Sequence, residues 1–216
     1  MTTKRRILTK CPKWSDDREE RHKAEFRSAV KQTYQTVSRH ARTGIADCDN
    51  VRIWHLAMFK SVVPLNYYAG NFRQDDSKRP CLRVQVAVGS ISALRFQEVV
   101  EAMDDLMTEL RQHIVNLEIR WQERTPDQRA LFLAQVMGWL LGNFIRIHPF
   151  VNGNGRTSRL IWAWTLLRFN LPVQCRIGLR PEPPYESLMA SAMSGDDAPL
   201  ANFVLQNMAN TPSQKS

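Results

Sequence analysis

The stretch from Thr125 to Phe169 constrains the fold more than any other part of this chain. Thr125 is suited to cap a helix, and Pro126 to its first position, where no N–H is required. Ala134, Met137, Leu141 and Phe144 then recur at helical spacing, and the same spacing lands on His148. Pro149 disfavours helical geometry at the residue before it and has no N–H to offer, so the chain should leave the helix there. Asn152, Gly153, Asn154 and Gly155 make a tight loop, and residues 156–169 form a new, very apolar helix. A helix, a sharp glycine-rich loop and a second helix make one rigid unit.

The 216 residues suffice for one domain with a buried core. Residues 17–42 read as an amphipathic helix with Ala24, Val30, Tyr34 and Val37 among its apolar positions. A second helix is expected over 50–62, capped by Asp49 or Asn50 and stopped by Pro64. Turn-formers between Gly70 and Pro80 precede Leu82, Val84, Val86 and Val88, which alternate with Arg83, Gln85 and Ala87. That pattern predicts a strand over 82–88, one half of a hairpin. Further helices are expected over 92–117, 185–193 and 199–208, leaving 210–216 as a polar tail.

A net charge of +9 makes an acidic surface, a polyphosphate or a nucleic acid conceivable as partner. No nucleic-acid-binding motif accompanies it, so a solvated basic surface is expected and nucleic acid is not. Cys11, Cys48, Cys81 and Cys175 lie far apart with no Cys-x-x-Cys pairing, which reads as four reduced thiols in a cytoplasmic protein. The basic N-terminus leads into Pro12, Lys13 and Asp16 and not into a signal-peptide core. Gln135, Asn143, Arg146 and Arg168 interrupt the longest apolar runs, so no membrane span is expected.

The loop itself carries the chemistry. His148 is a candidate general base, since an imidazole can take a proton from a hydroxyl. Gly153, Asn154 and Gly155 can turn backbone N–H groups toward an anion at a helix N-terminus. Arg156 and Arg159, three apart, share one face of the first turn and can grip phosphates in bidentate fashion. Asn152 could offer an amide oxygen to Mg²⁺. Singly each has a bland reading: a core histidine, a common turn, a solvated helix start. Their combination points to phosphate-ester chemistry.

The run from His148 to Arg159 resembles the signature of Fic (filamentation induced by cAMP) proteins, His-Pro-Phe-x-Asp/Glu-Gly-Asn-Gly-Arg-x-x-Arg. Tyr68-Ala69-Gly70 with Arg73 is similar to the stretch preceding that family's β-hairpin flap, and Tyr185 with Gly195-Asp196 to its C-terminal positions. The resemblance implies an all-α fold with a small hairpin flap over 50–209, with 1–49 a basic segment and a helix packed on it. It also implies transfer of AMP from ATP to a Ser, Thr or Tyr hydroxyl of a target protein. His148 would be the general base and Phe150 would anchor the loop. Gly153, Asn154 and Gly155 would form the anion hole, and Arg156 and Arg159 would hold the phosphates, with Tyr185 also at the nucleotide. A target segment would add along the strand 82–88, whose bland alternative is a purely structural hairpin.

Asn152 departs from the pattern, standing where many members carry a metal-contacting carboxylate, so metal affinity should fall. The family's inhibitory pattern, Ser/Thr-x-x-x-Glu-Gly/Asn, is missing; its nearest approach is Ser15 to Glu19 followed by Glu20. Inhibition would then come from a small antitoxin-like partner whose glutamate pairs with Arg159. Other readings are the same fold with another nucleotide or a phosphocholine donor, or a weakly active toxin-like or regulatory module. Gly155-Arg156 argues against a kinase-like member of the death-on-curing type.

Overall fold

A computed structural model describes residues 10–14, 20–171 and 184–209. Its elements are α1 (Glu20–Thr43), α2 (Cys48–Phe59), β1 (Ala87–Val88), β2 (Ile91–Ser92), α3 (Val99–Ile119), α4 (Pro126–Ile147), α5 (Asn154–Arg168), α6 (Tyr185–Met193) and α7 (Ala198–Ala209). The fold is all-α with one antiparallel hairpin, as the resemblance implies.

The centre is α5, buried on nearly every side from Thr157 to Leu166. A helix apolar all round has no solvent face and must be enclosed. It is enclosed by α1, α2 and α4, while α3, α6 and α7 cover the remaining faces of α4. Gly138 and Gly142 let α7 and the turn before it come close, since a Cβ at either would strike Ala201 or Asp197. Helix α1 contributes Val37 and Ala41 to the same core.

Local signals explain where the helices begin. Thr125 accepts from the Gln128 N–H while the Gln128 side chain returns to the Thr125 N–H, a reciprocal capping box with Pro126 in the first turn. Asp47 and Asn50 do the same for α2, which therefore starts two residues earlier than expected and closes at Phe59. By length and apolar content α4 reaches membrane-spanning size, with mean hydropathy 1.5, which corrects the expectation that no span would. Over half of that window is buried against neighbouring elements, as in a core helix.

The hairpin is shorter than the strand expected over 82–88. Pro80–Leu82 form a 3₁₀ turn, and the ladder pairs only Ala87 with Ser92 and Val88 with Ile91. Gly89, at φ 61, opens the two-residue turn. Beyond the paired residues Ala93 N–H still donates to Val86 O, but the Gln85 side chain takes the Ala93 carbonyl and the Arg73 guanidinium the Val84 carbonyl, so the ladder does not continue. Helix α3 accordingly begins at Val99 and not at Ser92, since residues 91–94 complete the hairpin and Leu94 N–H donates to Arg146 O.

The reading of four reduced thiols is corrected as well. Cys11 and Cys81 are joined as a disulfide, and Cys48 is a free thiol. Sequence separation hid this pair, because the fold lays residues 10–14 across the turn that carries Cys81. Cys175 and the tail 210–216 lie outside the described residues.

Candidate active site

Helix α4 ends at Ile147, and His148 takes the left-handed conformation at φ 49. The pre-proline position leaves the helix as expected, and a non-glycine residue held at positive φ is strained. Gly153, at φ 81, is the N-cap of α5. A Cβ there would come within 2.5 Å of the Phe59 ring, so glycine is required by both conformation and space. Between these turns Asn154 clasps the loop: its Oδ1 accepts from Phe150 N–H and its Nδ2 donates to Phe150 O, both at 2.9 Å. The Asn154 side chain is thus structural, which leaves only its backbone N–H for the anion cradle the sequence suggests.

Beneath the loop lies His55, fully buried on α2. Its Nδ1 accepts from Gly70 N–H at 2.9 Å, so the proton is on Nε2, which donates to Asn152 O at 3.0 Å. The ring stacks on Phe150 at 3.6 Å between centroids, with 6° between planes. Burial pushes its pKa down to about 3, because the charged form loses its hydration. Protonation would also set an N–H against that of Gly70. Phe150 is completely buried, as expected of the loop's anchor.

A strap formed by residues 10–14 closes the other side. Trp14 packs edge-on to His55 and Phe59 and stacks on Tyr68, whose hydroxyl donates to Pro12 O at 3.2 Å. Asn152 Nδ2 donates to Trp14 O at 3.1 Å, and its Oδ1 accepts from Gly153 N–H at 2.7 Å. The amide is therefore engaged at both ends. Among the described residues no three His, Cys, Asp or Glu side chains gather as a metal site. This donor set does not fit a protein-held magnesium ion, which would have to be carried by a ligand's phosphates.

The cradle retains two of its three expected N–H groups. Gly153 gives its own to Asn152, whereas those of Asn154 and Gly155, the first two of α5, have no acceptor among the described residues. Arg156 and Arg159 rise from the same turn. The Arg156 guanidinium lies over the Phe26 ring at 4.9 Å, and burial, then the charge of Arg159, pull its pKa below the usual value. Tyr185 begins α6, and its side chain lies outside the described residues. Beside the turn that carries His148 is a cavity of about 570 Å³, lined from the hairpin, α3, α4 and Met193.

Sequence reasoning missed His55, the strap and the side-chain role of Asn154. His55 did leave a signal: it lies on the α2 face that buries Val51, Trp54, Met58 and Phe59. A histidine at core spacing must find partners for both ring nitrogens.

The same architecture occurs in proteins already known. A Fic domain containing signaling protein from Bacteroides thetaiotaomicron superposes with a TM-score of 0.53 at 18% identity, covering 86% of this chain and 70% of that one. That likeness concerns the fold. A Fido domain-containing protein of Dictyostelium discoideum is 32% identical over 59 residues, which are 27% of this chain and 41% of the relative's length. The Fic/DOC family profile matches residues 46–166, more than half of the sequence and the whole His148–Arg159 loop. With this match the chain belongs to the Fic/DOC family.

Proposed function

We propose that this protein is an adenylyltransferase that moves AMP from ATP to a Ser, Thr or Tyr hydroxyl of a target protein. The observation that carries this is the joining of His148, held in a left-handed turn at the end of α4, to the Asn154 and Gly155 N–H groups and the arginine pair of α5. His148 takes the proton of the target hydroxyl while its oxygen attacks the α-phosphorus. The bond from that phosphorus to the bridging oxygen breaks, and pyrophosphate leaves. The two N–H groups and the helix dipole stabilise negative charge at the phosphate oxygens. Arg156 and Arg159 neutralise the triphosphate, and an anion between them relieves the repulsion of two adjacent half-buried cations.

The cavity beside Ile147 is where we assign the nucleoside, and the exposed edge of the hairpin is where we assign the target segment. Magnesium, when bound to the triphosphate, offsets phosphate charge; no residue described here is assigned to hold it. Intact mass and autoradiography with α- and γ-labelled ATP test the reading. Transfer of the α label, abolished in His148→Ala, is expected; transfer of the γ label alone would refute adenylylation.

The engagement of Asn152 favours a second reading, a slow or regulatory member of the same fold. Absence of ATP binding by calorimetry, with and without Mg²⁺, would select it.

A further inference from the structure

Arg73 is completely buried, and among the described residues all the partners of its guanidinium are backbone carbonyls. Its Nε donates to His148 O at 2.8 Å, and one terminal nitrogen donates to Ile147 O at 2.8 Å and to Leu94 O at 3.0 Å. The other terminal nitrogen donates to Val84 O at 2.9 Å, and the Arg73 backbone N–H donates to Pro149 O at 2.7 Å. Burial lowers its pKa to about 10, so the group remains a cation at neutral pH.

A buried arginine with only carbonyl partners is a costly way to fill space, which a leucine or methionine would do without desolvating a charge. Two of its carbonyls are the last of α4, the negative end of that helix dipole. The other two lie on the chains entering and leaving the hairpin. One rigid plane thus spans the carbonyl of the left-handed His148 and both stems of the hairpin. The nucleotide-facing loop is fixed by other contacts, Asn154 to Phe150 and His55 to Asn152.

We propose that Arg73 is a positioning residue that couples the hairpin to His148, fixing where a hydroxyl presented on the hairpin stands relative to the base. The proposal rests on the transferase reading above. It ranks two functions: losing the clamp should impair transfer to a protein hydroxyl far more than ATP binding, whose cavity shares only Leu94 and Ile147 with the clamp. Misplacing reacting groups by about 1 Å costs on the order of 100-fold in rate.

The test uses the full chain, Arg73→Lys and Arg73→Met, with the chain's own hydroxyls as acceptor and α-labelled ATP as donor. Expected are an ATP dissociation constant that moves much less than the rate, a self-labelling rate about 100-fold lower in Arg73→Met, and partial recovery in Arg73→Lys. Equal losses of binding and rate, or a normal rate in Arg73→Met, would overturn the proposal. Hydrogen exchange on the unsubstituted chain asks the same question without activity or refolding of a variant. The amides of Ala93, Leu94 and His148, bonded to Val86 O, Arg146 O and Phe144 O, should open with one shared free energy. If Ala93 and Leu94 open independently of His148, the coupling is wrong even where labelling is normal. If the unsubstituted chain transfers no α label while those amides open together, the transferase reading fails and the coupling stands.

Discussion

The most direct physical test concerns His55. In the unfolded chain its imidazole titrates near the ordinary value of 6.5, whereas in the fold burial holds it down to about 3. Between those two values the unfolded state binds a proton that the folded state refuses. Stability from this group is therefore fully present above pH 6.5 and declines as pH falls toward 3. The full span corresponds to about 5 kcal/mol, and roughly half of it should be lost between pH 7.5 and 4.5. The geometry agrees in direction, since both ring nitrogens are committed and a second N–H would face that of Gly70. Urea unfolding at half-unit pH steps should be run on the wild type and on His55→Gln, which removes the titration and retains a donor toward Asn152. The difference between the two stability curves isolates His55 from the carboxylates. It should be flat above pH 6.5 and shrink by about 1.4 kcal/mol per unit well below it. Parallel curves down to pH 4.5 would refute a neutral, buried His55 under the loop.

Other predictions address the same region. Gly153→Ala forces a side chain into positive φ and against Phe59, so denaturant unfolding should show a loss of about 2–5 kcal/mol and calorimetry a weaker ATP complex. Asn152→Asp removes the donor to Trp14 O and sets a carboxylate against a carbonyl; it should cost about 1–3 kcal/mol and expose residues 10–14 to limited proteolysis. Cys11→Ser opens a cross-link between residues 70 apart, which by chain entropy stabilises by up to about 4 kcal/mol. Its melting temperature should fall to that of the reduced wild type, and equal melting with and without reductant would mean that the thiols are not joined.

What the sequence determined by itself was written among near neighbours. Thr125 and Pro126 start α4, Pro149 ends it at His148, and Gly153 turns the chain into α5, because caps and turns are settled within about four residues. Helix α6 falls where the sequence places it, and the all-α fold is the one the family resemblance implied. The His148–Arg159 loop was legible as phosphate chemistry for the same reason, its parts being contiguous. Tertiary structure alone decided what supports that loop: His55 reaches Asn152 across 97 residues, Arg73 reaches His148 across 75, and Asn152 reaches Trp14 across 138. It also decided that the hairpin is short and that Cys11 meets Cys81. The physical reason is that a buried polar group must find a partner, and which carbonyl or N–H comes within 3 Å is set by how the helices pack.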